Sequence, residues 1–127
     1  MCTDSVAIKD LDAAHPISAL WRPLLLEVIA RLAKGDFELS NIVEGVLAVD
    51  PEVATINREN VLDYGEILTQ LPAAAWDTSC AQYMGTYWEI LVDLYTIGEG
   101  ASDLVLHGRM SEFSGKPQFE VGLIYVP

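Results

Sequence analysis

His107 follows Asp103 by four residues and precedes Arg109 by two in "YWEILVDLYTIGEGASDLVLHGRM", residues 87–110, which also carries Glu89 and Asp93. A histidine oriented by a carboxylate is the commonest general acid–base arrangement. Spacing decides how much of that chemistry is available. Both halves of the stretch alternate as strands do, and four strand residues span about 13 Å, so Asp103 cannot hydrogen-bond His107 directly. A dyad would need Glu89 or Asp93 from the neighbouring strand, where opposite residues approach to about 5 Å. A cross-strand ion pair with Arg109 is the ordinary explanation and the preferred one.

The other reactive side chains offer less. His15 precedes Pro16 in a loop. Cys80 lies between Trp76 and Tyr83, where a buried, inert thiol is the usual finding. Cys2 has nothing near it in sequence to lower its pKa. No His/Cys/Asp cluster has metal-ligand spacing. Gly98-Glu99-Gly100 has too few glycines, and no following helix, to cradle a phosphate. Trp76, Tyr87 and Trp88 read as core rather than as a pocket. No catalytic residue, metal or cofactor is expected.

These residues need a sheet to position them. After Pro72 the apolar period is two, and residues 79–84, 87–96, 103–113 and 118–126 read as strands. Gly85-Thr86, Gly98-Glu99-Gly100 and Ser114-Gly115-Lys116-Pro117 join them, and turns this short imply an antiparallel meander of order 1-2-3-4. Trp88, Ile90, Val92 and Leu94 point one way, and Leu104, Leu106 and Met110 share a face. In the last strand Phe119, Val121, Leu123 and Tyr125 oppose Glu120, Gly122, Ile124 and Val126. A second face then holds Glu89, Asp93, Asp103, His107, Arg109 and Glu120. Asp93 and Asp103 are expected to do structural work there, accepting backbone N–H groups beside the glycine-rich turn.

Before Pro72 the pattern is helical. Residues 1–15 form a loose lead-in. From Ile17 the positions Leu20, Leu24 and Val28 repeat at i+4 with Leu25, Ile29 and Leu32 beside them. Ser18 is a plausible N-cap, and Lys34-Gly35 ends the helix. A shorter helix follows with Leu39, Ile42, Val43, Val46 and Leu47 on one face. Asp50-Pro51-Glu52 is a start signal. The third helical stretch is expected from Asn57 to about Gln70, burying Val61, Leu62 and Leu68. The fold class is therefore α+β: about three N-terminal helices packed on a four-stranded antiparallel meander, one domain over 1–127 with a helical half at 16–71 and a sheet half at 76–126.

Nineteen acids against seven bases give a net charge of −12, unevenly spread. Residues 1–35 sum to zero, whereas 36–66 set Asp36, Glu38, Glu44, Asp50, Glu52, Glu59, Asp63 and Glu66 against Arg58 alone. Such a surface repels phosphate backbones and speaks against nucleic-acid binding. No apolar run approaches the roughly 20 residues of a spanning helix, so no membrane partner is expected. Two distant cysteines and no basic-then-apolar N-terminus fit a cytoplasmic setting.

The run at 87–110 and the terminal "FEVGLIYVP" resemble a family of small, uncharacterised bacterial proteins. Their pattern is Trp, Leu-Val-Asp-Leu, Glu-Gly, Ser-Asp-Leu-Val-Leu and a Tyr-Val-Pro tail. The likeness covers residues 76–127, with "WRPLL" and "GDFE" in the helical half. Trp88, Asp93, Glu99, Gly100, Ser102 and Asp103 match the pattern, and Ala101 stands where the family has arginine. The resemblance implies no established activity. In size and charge the chain also resembles the immunity proteins of toxin systems, which block a cognate toxin that is often a basic nuclease. That likeness implies a basic protein partner, with the acids of 36–66 in its phosphate-binding cleft. The alternative is a small enzyme or ligand-binder similar to the nuclear-transport-factor-2-like cone, whose opening helix and Gly-Asp turn "VIARLAKGDFELS" resembles. There an Asp or His would act in a pocket between sheet and helices.

Overall fold

A computed structural model describes residues 7–41 and 43–127, so the expectations for Cys2 and Ile42 fall outside it. The order is α1 (Arg22–Ala33), α2 (Pro51–Tyr64), β1 (Leu68–Thr69), a 3-10 turn at Ala73–Asp77, β2 (Cys80–Tyr83), β3 (Trp88–Thr96), β4 (Gly100–Phe113) and β5 (Lys116–Tyr125). The class is α+β, and β2 to β5 pair antiparallel in chain order, as the alternation predicts. β1 is an addition. It pairs with the same edge of β3 as β2 does but at the opposite end, Leu68 facing Thr96 while Tyr83 faces Trp88.

Two α-helices among the described residues stand where about three were expected. The helix across Leu39–Leu47 does not form. Asp36 accepts the backbone N–H and hydroxyl of Ser40, and Leu39 and Gly45 take positive φ of 49° and 82°. The backbone at 45–47 instead meets β5: Phe119 N–H donates to the Gly45 carbonyl at 2.7 Å and Leu47 N–H to the Phe119 carbonyl at 2.9 Å. Its helical spacing came from apolar residues on an irregular segment.

The start signal at Asp50-Pro51-Glu52 acts where it stands, not at Asn57. The Asp50 carboxylate takes the Glu52 N–H at 2.8 Å, and proline fills the first helical position, where its missing N–H costs nothing. α2 ends at Tyr64, six residues short of the expected Gln70, and Gly65, with φ of 84°, closes it with bonds to the Val61 and Leu62 carbonyls. Leu68 is buried as a strand residue, whereas Leu62, expected inside, is 76% exposed. α1 begins later than Ile17, with Pro23 in its first turn. Ser18 caps the preceding turn, accepting Leu20 N–H, so Trp21 is buried in place of Leu20.

The core lies between the helices and one sheet face. Trp88, Ile90, Val92 and Leu94 from β3, Leu106 and Met110 from β4 and Phe119 from β5 meet Trp21, Leu25, Ile29 and Leu32. The rings of Trp21 and Trp88 pack edge to face with centroids 5.0 Å apart, the favoured quadrupole arrangement. This inner face is filled with large apolar side chains. Among the described residues no helix is long and apolar enough to cross a membrane.

Two irregularities break the alternation. On β3–β4 the register runs from Asp93↔Val105 to Tyr95↔Ala101, so Leu94 faces Ser102, Asp103 and Leu104. On β4–β5 it runs from Gly108↔Val121 to Leu106↔Ile124, so His107 faces both Gly122 and Leu123, a β-bulge. The extra residue flips the phase: Ile124 is buried and Leu123 exposed, the reverse of the expected faces. α2 stabilises the bulge. Asn57, fully buried, donates to the Gly122 carbonyl at 2.9 Å and accepts the Ile124 N–H at 2.7 Å, and Asn60 donates to the Ile124 carbonyl at 2.8 Å.

From Ile8 to His15 the lead-in is tied down along β2 and the start of β3. His15 and Ala81 exchange backbone hydrogen bonds, Gln82 donates to the Asp10 carbonyl, and the Trp88 indole N–H donates to the Ile8 carbonyl.

Candidate functional site

The second sheet face is open and holds most of the expected cluster. Register sets Arg109 directly opposite Glu89 on one side and Glu120 on the other. The ion pair with Arg109 is nevertheless not the contact that forms. The guanidinium lies over the Tyr87 ring, 4.9 Å from its centroid, a cation–π geometry, and the Glu89 carboxylate stands 3.9 Å from His107 Nε2. That separation is an ion-pair distance and too long for the hydrogen bond of a dyad. Tyr87, Arg109, Ser111, Gln118 and Glu120 line a shallow cavity of about 430 Å³ at this end of the sheet.

Asp93 and Asp103 are held by their backbones, not by their carboxylates. Asp93 lies on the β3 edge in the gap between β1 and β2, and its N–H donates to Ser79 Oγ at 3.0 Å. Asp103 sits in the outpouching opposite Leu94, away from His107. Its N–H donates to the Tyr64 hydroxyl at 3.1 Å, and that hydroxyl donates to Glu99 at 2.8 Å. The Asp103 N–H pulls the Tyr64 phenol down, but the hydrogen bond to Glu99, partial desolvation and the charges of Glu99 and Asp103 together hold it above its ordinary range. The side chain that closes the outpouching is Ser102: Oγ donates to the Leu94 carbonyl at 2.8 Å and accepts the Leu104 N–H at 3.2 Å. The aspartates in the strands are therefore explained by a gap and a bulge.

The eight acids of 36–66 divide by what holds them. Asp36 fastens the Ser40 turn, Asp50 caps α2, and Glu38 pairs with Arg58, whose guanidinium also lies over the Phe37 ring at 5.5 Å. Glu44 stands exposed in the turn before β5's partner segment. Glu52, Glu59 and Asp63 are exposed on the outward face of α2, with Ile56 and Leu62 exposed among them. Glu66 is half-buried just beyond the helix, close against Gly98. α2 has an acid in its first turn and no base in its last.

Between the end of α1, the second half of α2 and β1 runs an open groove of about 440 Å³. Leu32, Phe37, Val61 and Leu68 form its floor and walls, Leu62 and Ile67 its lips, and Glu66 its rim. It was not legible in the sequence, because Leu62 reads as core when the helix is extended to Gln70.

Elsewhere, His15 Nε2 bonds the Asp10 carboxylate at 2.8 Å, and that bond, with the Asp12 N–H, lowers the Asp10 pKa. Cys80 is half-buried beside Asp93. Burial first, and the carboxylate second, push its thiol up. No three His, Cys, Asp or Glu side chains come together as a metal site among the described residues.

Residues 29–127 match a family model described as Domain of unknown function (DUF7668), which takes in the whole sheet and α2. No curated protein and no solved structure matches the chain.

Proposed function

The chain belongs to the DUF7668 family, which brings no activity with it, and on that premise we propose that it is an acidic, non-catalytic binding protein docking a basic protein through the outward face of α2. One observation carries the reading. Glu59 and Asp63 stand one turn apart in the second half of the helix, Asp63 in its last turn beside the exposed Leu62. Like charges at i,i+4 repel, and a carboxylate near a helix C-terminus opposes the macrodipole. Each placement costs a few tenths of a kcal/mol, and among the described residues no ion pair offsets it. Residues kept against local stability are a mark of function.

The most concrete form of this reading is an immunity-type inhibitor. Glu52, Glu59 and Asp63 extend over about 16 Å of helix, at 1.5 Å per residue, in a row of negative charge suited to a nuclease toxin's phosphate-binding cleft. Such complementarity speeds association and rejects acidic competitors. A cytoplasmic setting goes with this reading, as the two unpaired-in-sequence cysteines suggest.

The test is a pull-down from the native host at low and high salt, followed by rate measurements with the captured protein. The partner should be basic, should be released by salt, and should associate several-fold more slowly with the Glu59→Lys/Asp63→Lys variant. Equal association rates for variant and wild type would overturn the reading. If the partner is a toxin, co-expression of this chain should abolish its toxicity.

A further inference from the structure

We propose that the groove between α1 and α2 seats an apolar anchor side chain from an amphipathic, basic segment of the partner, with a lysine or arginine of the same segment reaching Glu66. This inference rests on the docking reading above and names what the acidic face alone does not: a pocket, and the chemistry of its occupant.

The groove has an apolar floor and raised apolar lips. Leu62 and Ile67 are 76% and 64% exposed, and Ile97, 70% exposed, is hydrogen-bonded through its N–H to the Ile67 carbonyl. Large apolar side chains left this open around a concave floor are the usual mark of an anchor pocket, where binding energy concentrates in one or two buried side chains.

Charge selects the occupant. Among the described residues the one cation lining the groove is Arg58, already paired with Glu38 and stacked over Phe37. An apolar molecule with a carboxylate head would therefore find no free cation in the lining and would meet Glu66 instead. Glu66 has no cation within ion-pair distance among the described residues. It also abuts Gly98, where any Cβ would collide with its carboxylate. A carboxylate set at the rim of an apolar groove, with Asp63 and Glu59 continuing the same sign along α2, fits a segment that is apolar on one face and basic on the other.

The experiment uses the full chain, isotope-labelled, titrated with synthetic peptides followed by amide shifts. One peptide carries leucine and lysine at helical spacing. A second has the same lysines with serine for leucine. The expected result is that the leucine–lysine peptide moves the amides of Leu62, Gly65, Glu66 and Ile67 and binds about tenfold tighter than the serine peptide. Leu62→Ser/Ile67→Ser should erase that preference, and Glu66→Gln should weaken binding about threefold and flatten its salt dependence. These positions are exposed or at the rim, so the fold survives the changes.

Equal binding of the two peptides would overturn the groove as an anchor site while leaving charge-driven docking intact. Loss of both by Glu59→Lys/Asp63→Lys, with Leu62→Ser/Ile67→Ser silent, would do the same. Decanoate filling the groove more tightly than the peptide would assign it to a small ligand, and concentration-dependent dimerisation abolished by Leu62→Ser would assign it to a second copy. Either outcome overturns the proposal.

Discussion

Asn57 reaches across from α2 to Ile124 on β5, accepting its backbone N–H at 2.7 Å while its amide donates to the carbonyl of Gly122 on the other side of the bulge. A buried side chain thus supplies both hydrogen bonds that a ladder partner would have supplied. Leaving a buried donor or acceptor unpaired costs about 1–3 kcal/mol, so Asn57→Ala should lose about 2–4 kcal/mol in denaturant titration. Asn57→Leu, similar in volume, should lose as much. A loss under about 1 kcal/mol would mean that water replaces the amide.

Ser102 and Asp103 should behave oppositely. Ser102→Ala removes the hydroxyl that closes the outpouching on Leu94 and should cost about 1 kcal/mol. Asp103→Ala leaves the backbone bond to Tyr64 in place and should stay within about 0.5 kcal/mol. The reverse order would return the structural role to the aspartate.

The lead-in should loosen in acid. The Asp10 carboxyl is held below its ordinary value of 3.8 by His15, so its contribution is full above that value and is lost as pH falls through the lower folded value. Because the Trp88 indole bonds the Ile8 carbonyl, tryptophan fluorescence should report the release below about pH 4. Asp10→Asn should remove that pH dependence. A fluorescence profile identical to wild type would show that the strap holds without the pair.

Cys80 should be a slow thiol. Burial and Asp93 both disfavour its thiolate, so alkylation in a Cys2→Ser background should run well below the rate of a free thiol at pH 8. Asp93→Asn should speed it modestly and unfolding greatly. Reaction at the free-thiol rate would contradict the burial.

Asp63→Lys should separate stability from binding. It relieves the repulsion with Glu59, creates an i,i+4 pair, and places a cation near the helix C-terminus, together worth about 0.5–1 kcal/mol of added stability. Association with a basic partner should slow at the same time. A variant both more stable and equally fast in association would remove the functional reason for the acid.

How much of this was legible turns on where local signals were unambiguous. Period-two alternation and glycine-rich turns, which depend on neighbours in sequence, place strands at 87–96 and 118–126; the structure has them at Trp88–Thr96 and Lys116–Tyr125, the last strand taking in two residues of the expected turn. The cap at Asp50 is readable for the same reason, yet the local pattern starts the helix at Asn57, seven residues after the cap. The partners of Asn57 at Gly122 and Ile124 lie 65 and 67 residues away, beyond any local pattern. Ala54, Asn57 and Val61 do repeat at helical spacing on the buried face, and that was the available signal. Among the candidate residues, register brings Glu89, His107, Arg109 and Glu120 together as alternation implies, while Asp103 is carried away by an outpouching that nothing nearby announces. The groove depended on where α2 stops, and Gly65 was passed over as its end.

The sheet's outer strands have consequences for how any partner is met. The free side of β5 is occupied at Phe119 by Gly45 and Leu47 and at the bulge by Asn57 and Asn60, while β3 is covered by β1, Ser79 and β2, and β2 by His15. Main-chain groups taken at these points cannot accept an incoming strand without displacing them, so neither a client peptide nor a second copy can extend the sheet there by strand addition. Under the docking reading proposed above, recognition would be carried by side chains and tunable by single substitutions on α2 that leave the sheet untouched.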